Sequence, residues 1–201
     1  MNMVDVYRIH HGGLVRIADF RAFAISHGLQ WSSVLVGISR WQKQGFLERV
    51  TRGAYLVRDI EVNESVAACL LVPDGYISLE SAMSYRGMLL DRVYQLDLAC
   101  VRRVRGFKIR STEVVVSKIP PSLYWGWEVE ETRHGSIRVA AAEKALFDRI
   151  YIDRVAEPEY AYFEDMGLQP HAVNADRFAE LAQRSPKVKR FSRILKEYCR
   201  A

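Results

Sequence analysis

The chain has 201 residues, a formal net charge of +5 with a pI near 9.2, and 49% hydrophobic residues, a composition that excludes a disordered polymer and can fill one large or two small cores. No run approaches the ~18 apolar residues of a membrane span, and the amino terminus MNMVDVYRIHHGG lacks the apolar stretch of a signal peptide, so a cytoplasmic protein without membrane contact is expected. Cys69, Cys100 and Cys199 are too far apart, and odd in number, for a disulfide framework or a zinc spacing.

Met3 to His11 reads as a first helix with Val6 and Ile9 inward, closed by the Gly12-Gly13 break. Leu14 to Ile17 alternates like a short strand. Asp19 is then placed to cap a helix from Phe20 to His27 that buries Phe23 and Ala24 and stops at Gly28. His10, His11 and His27 are metal ligands by residue type, but adjacent histidines at a glycine break are ordinarily surface residues, and no metal is expected.

The stretch WSSVLVGISRWQKQGFLERVTRGAYLV, Trp31 to Val57, is the centre of the reading. Val34, Leu35, Ile38 and Trp41 recur at the spacing of a helix with one buried face, and Gly45 stands where a glycine ends such a helix. Phe46 to Thr51 and Ala54 to Arg58 are β-prone runs, and Arg52-Gly53 between them supplies a hairpin turn. Together these elements predict a winged helix-turn-helix, assigned to residues 1–60 as a DNA-binding domain.

On a helical wheel Ser32, Val36, Arg40 and Lys43 fall opposite Val34, Ile38 and Trp41, with Ser33 at the margin. Short hydroxyls followed by cations suit a helix laid in a major groove, and Arg49, Thr51 and Arg52 on the hairpin suit the neighbouring phosphates. An ordinary solvated face, or a protein-binding module, is the competing reading of the same residues. The charge distribution favours nucleic acid: residues 1–60 carry eight Lys/Arg against four Asp/Glu, whereas the remainder carry 21 against 20.

Residues 61–201 are expected to form a second, α+β domain with a mostly antiparallel sheet, packed directly on the first because no Gly/Ser or Pro-rich linker separates them. A helix from Asn63 to Val72 and the turn Pro73-Asp74-Gly75 lead to a second helix that Ser78 can cap, with Glu80 in its first turn and Gly87 at its end. Ser78, Glu80, Ser81 and Ser84 are read as capping and a polar face, not as nucleophiles. Strands follow at Tyr94 to Cys100, Val114 to Val116, Tyr124 to Val129 and Ile137 to Val139, with the aromatic run Tyr124-Trp125-Gly126-Trp127 as a half-buried strand.

Ala142 to Ile152 and Asn174 to Ser185 pattern as helices, and Ser185-Pro186 opens a last one. Its Lys189, Arg190 and Arg193 form a candidate second basic surface. Glu143 and Asp148 lack the carboxylate spacing of a metal-dependent transferase, and no glycine-rich phosphate loop precedes a helix, so no enzymatic activity or cofactor is expected.

Three stretches together resemble one family. Ile38-Ser39-Arg40-Trp41 leading to Gly45-Phe46-Leu47-Glu48-Arg49 and Arg52-Gly53-Ala54-Tyr55, then GYISLESAMSYRGM at 75–88, then RVAAAEKALFDRIY at 138–151, are similar to the AbiEi antitoxins and transcriptional regulators, in the order found there. Trp41 replaces a smaller aliphatic residue of that pattern, and Ala141-Ala142 replaces a capping Ser/Thr followed by proline. The resemblance implies a DNA-binding repressor that autoregulates its operon through inverted repeats in duplex DNA, with possible self-association there. It also implies an antitoxin of a type IV toxin–antitoxin, or abortive-infection, pair that counters a nucleotidyltransferase toxin without a stable complex. A stand-alone regulator whose second domain dimerises or senses a ligand is the alternative.

Overall fold

A computed structural model describes residues 1–91, 93–153, 155 and 157–200. The chain begins with α1 (Met3–Ile9), β1 (Leu14–Arg16), α2 (Ile17–Ser26), α3 (Trp31–Lys43), β2 (Leu47–Thr51) and β3 (Ala54–Val57). Asn2 and Asp5 cap α1 reciprocally, each side chain accepting the other's backbone N–H at 3.0 and 2.7 Å. The helix stops at Ile9, earlier than the pattern implies, because His10 is extended and its Nδ1 accepts the Gly13 N–H.

Asp19 does not cap α2 from outside. It sits at the third helical position, where its carboxylate accepts the Arg16 N–H at 2.7 Å and pairs with the Arg16 guanidinium at 3.0 Å. A carboxylate there satisfies a free N–H and meets the positive end of the helix dipole. Phe20, not Phe23, takes the core position with Ala24.

β3 is the centre of a three-stranded antiparallel sheet, order β1-β3-β2. Its two faces serve two cores. Val15, Leu47, Tyr55 and Val57 join Val6, Phe20, Val34, Ile38 and Trp41 in a small core, where Trp41 stacks on Phe20 at 6.4 Å and meets Phe46 edge-on. Leu14, Ala54 and Leu56 face the other way and belong to the larger core of the residues that follow. The two halves therefore share buried apolar area, as direct packing requires. Between Arg49 and Thr51 the β2–β3 register shifts, so that Val50 is an extra residue whose side chain packs on the larger core.

After residue 60 come α4 (Glu64–Leu71), β4 (Gly75–Ile77), α5 (Leu79–Tyr85), β5 (Gln95–Cys100), β6 (Phe107–Ile109) and β7 (Thr112–Lys118). β8 (Trp127–Thr132), β9 (Gly135–Ala140), α6 (Ala142–Asp153), α7 (Tyr160–Asp165), α8 (Ala175–Ala182), α9 (Pro186–Lys189) and α10 (Ser192–Tyr198) complete the described elements. The six strands are ordered β6-β7-β5-β4-β9-β8. This sheet is mixed: three of its five pairings are antiparallel, while β5 runs parallel to β7 and β4 parallel to β9. Alternation marks which residues face the core and carries no information on strand direction, which the long connections decide.

The aromatic run is not strand throughout. Pro121–Leu123 form a single 3-10 turn, Gly126 adopts φ +73°, and β8 starts only at Trp127. The last helix is broken at Arg190-Phe191, where the Phe191 N–H bonds back three residues to Val188 and the ring is buried against Tyr162 and Phe163. α7 supplies both partners and has no forecast in the sequence pattern. The chain is thus a mixed α+β protein, and among the described residues no helix is long and apolar enough to cross a membrane.

Candidate nucleic-acid interface

α3 exists because its apolar residues fall on one stripe, and that stripe fixes what the opposite side presents. Val34, Ile38 and Trp41 are buried, while Ser32, Ser33, Val36, Arg40 and Lys43 are all exposed, Val36 by 69%. Leu35, expected inside, is 43% exposed and lies at the edge of the outward face. The helix contains no carboxylate. Gly28, with φ +62°, turns the chain between α2 and α3, and Arg21 of α2 lies over the Trp31 ring at 5.1 Å, which holds the start of α3 against α2.

The β2–β3 hairpin stands next to this helix. Gly53 adopts φ +79° at its tip and accepts the Ile17 N–H at 2.7 Å, which ties the turn to the start of α2. Arg49 and Arg52 are exposed, and Thr51 is half-buried. The Arg49 Nε donates to the Thr51 carbonyl at 3.3 Å. Among the described residues, Arg40, Lys43, Arg49 and Arg52 form no ion pair, so these cations have no carboxylate partner to displace. Glu48 is the exposed acid beside them.

The candidate second basic surface spans the break in the last helix. Arg190 donates to the Val155 carbonyl, Arg193 lies 3.9 Å from Glu197, and Lys189 is exposed on the short α9. The histidines stay apart in role: His27 stacks on Phe23 at 3.9 Å, and His10 accepts a turn hydrogen bond. No cluster of His, Cys, Asp and Glu that could hold a metal occurs among the described residues.

Ser78 is the instructive departure. Its hydroxyl makes no cap hydrogen bond to α5 and donates instead to Asp148 Oδ2 at 2.8 Å, beside the Tyr76 hydroxyl at 2.7 Å. The other oxygen of Asp148 meets Lys144 Nζ at 2.5 Å, and Nζ also donates to the Leu123 carbonyl at 2.9 Å. Trp125 covers the ammonium at 4.4 Å from the ring centroid. All four polar side chains are buried. Burial pushes the Asp148 carboxyl up and the Lys144 ammonium down, and each is opposed by the charge of the other. Burial, then the Asp148 charge, raises the Tyr76 phenol.

This network links β4, the entry to α5 and α6, and a substrate would have to open the core to reach it. Glu80 and Ser81 serve similar ends, the first pairing with Arg149, the second accepting the Asp97 N–H at 2.7 Å. The one local signal was Lys144 and Asp148 four residues apart within an otherwise buried helix segment.

No protein-family model and no curated protein matches the chain. Its class therefore rests on architecture: a mixed α+β protein whose three-stranded sheet joins a small helical core to a larger six-stranded one.

Proposed function

We propose that residues 1–60 form a winged helix-turn-helix that binds duplex DNA, with α2 and α3 as the helical pair and β2–β3 as the wing. The observation that carries this reading is the outward face of α3. Ser32, Ser33, Val36, Arg40 and Lys43 are exposed together on a helix without carboxylates, beside a hairpin whose arginines form no ion pair among the described residues. A helix laid in the major groove uses short hydroxyls and an aliphatic side chain against base edges and cations against guanine or phosphate, while the wing meets the adjacent backbone.

The further reading is a cytoplasmic transcriptional repressor that binds inverted repeats in its own promoter and serves as the antitoxin to a nucleotidyltransferase toxin without a stable complex. That part rests on the resemblance of residues 38–55, 75–88 and 138–151 to the AbiEi antitoxins. A mobility-shift series on the region upstream of the gene tests the DNA-binding step. Arg40→Ala/Lys43→Ala is expected to cost ~1–3 kcal/mol for each base contact it removes. Unchanged affinity in that double variant would overturn the assignment of α3.

A further inference from the structure

The six-stranded sheet has two edges, β6 and β8, and they are finished differently. β6 lies against β2 of the small sheet and buries Ile109. β8 pairs with β9 alone among the described strands, and none of its six residues is buried. It runs in unbroken register with β9 and holds neither proline nor lysine, so the bulge, proline and lysine that ordinarily guard an exposed edge are missing.

The backbone groups on offer follow from the ladder. At the open end of the β8–β9 hairpin the Ala141 N–H donates to the Gly126 carbonyl at 2.9 Å. Counting from that pair in twos, Glu128, Glu130 and Thr132 bond toward β9, while Trp127, Val129 and Glu131 turn N–H and C=O away from it. The side chains along this edge are acidic. Arg86 bridges Glu128 and Glu130 on one face at 2.9 and 2.7 Å, and Glu131 is exposed on the other, so one guanidinium serves two of three carboxylates. Between Glu128 and Glu130 stands Val129, 57% exposed, and Tyr85 donates to Glu130 at 2.6 Å.

We propose that β8 is a docking edge for an extended segment of a protein partner in which Lys or Arg alternates with aliphatic residues, bound by strand addition. Main-chain hydrogen bonds supply the attachment, and the pattern of β8 sets the alternation: the residues opposite Glu128 and Glu130 are cations, and the residue opposite Val129 is aliphatic. A second copy of this edge fits badly, because antiparallel pairing of two such strands sets glutamates against glutamates. The inference is independent of the DNA-binding reading, which uses none of these residues.

The test uses the full chain and short capped peptides of alternating lysine and valine, with fluorescence anisotropy as the readout. The parent should bind this peptide and not its glutamate–valine counterpart. In the added strand the valines opposite the outward groups of β8 exchange backbone hydrogen bonds with the edge, and the lysines turn theirs away. N-methylation of the valines should therefore cost at least about tenfold in affinity, and N-methylation of the lysines should not. Val129→Pro removes one outward donor and leaves the β9 ladder whole, so it should weaken the lysine–valine peptide by a similar factor with unchanged thermal unfolding. If that variant unfolds, Glu128→Gln/Glu130→Gln should show the loss of affinity instead. No binding of the lysine–valine peptide to the parent overturns the proposal. Equal binding of the two methylated peptides also overturns it, since charge attraction alone would then suffice. So does self-association of the parent that Val129→Pro abolishes, which would make β8 an interface between copies of this chain.

Discussion

Lys144 Nζ stands 2.5 Å from Asp148 Oδ1, one turn along α6, with neither side chain exposed to solvent. Leu123 accepts from the ammonium, Trp125 covers it, and Tyr76 and Ser78 donate to the carboxylate, so the pair closes a buried network between α6 and β4. Such a pair is worth little against well-packed apolar replacements, but half of it is costly. Lys144→Met or Asp148→Leu alone should destabilise by ~3–5 kcal/mol, and the double substitution by clearly less than the sum. Chemical denaturation of the four proteins measures this. Additive losses would show that the two charges are not coupled.

Val36 is the aliphatic side chain on the outward face of α3 and is 69% exposed. If it meets a thymine methyl, replacing the matching thymine by uracil should cost about 0.8 kcal/mol, roughly fourfold in affinity. Val36→Ser should remove that sensitivity. Competition binding with uracil-substituted duplexes reads it directly, and an equal uracil effect in both proteins would remove Val36 from the groove.

Arg49 and Arg52 lie near the tip of the β2–β3 hairpin without ion-pair partners among the described residues. Arg49→Ala/Arg52→Ala should lower affinity for all duplexes alike and flatten the salt slope by about 2. A parental slope would mean that the wing stands off the DNA.

His10 accepts the Gly13 N–H through Nδ1, which requires the ring to be neutral. Burial, then the neighbouring His11, holds its pKa below the ordinary value of about 6.5. Above that value neither the folded nor the unfolded ring is charged. As pH falls through it the unfolded state takes up a proton that the folded state does not, so stability declines until the folded pKa is passed. His10→Asn keeps an acceptor for Gly13 without this titration. Denaturation between about pH 8 and about pH 5 should show a shallower acid loss for the variant, and identical profiles would assign the loss elsewhere.

On the antitoxin proposal, in cells expressing the proposed toxin, with this protein driven from a heterologous promoter, Arg40→Ala/Lys43→Ala should lose repression of the native promoter and still rescue growth. The outward residues of α3 and the second core occupy different parts of the chain. Failure to rescue by a folded, abundant variant would mean that neutralisation itself runs through nucleic-acid binding.

Local chemistry decided what could be seen before folding. The stripe Val34, Ile38 and Trp41 fixed α3 and its outward residues, Gly45 its end, and Arg52-Gly53 the hairpin, because periodicity, helix termination and positive φ act within a few residues. Asn63 and Asn174 cap their helices as their side chains allow. Relationships across long separations were decided only in three dimensions. The parallel pairing of β5 with β7 and of β4 with β9 depends on how the connections cross. Ser78 gives its hydroxyl to a carboxylate 70 residues away, since a buried carboxyl at Asp148 demands donors. β6 came to lie against β2 through the folding of the whole chain, which puts segments far apart in sequence against one another.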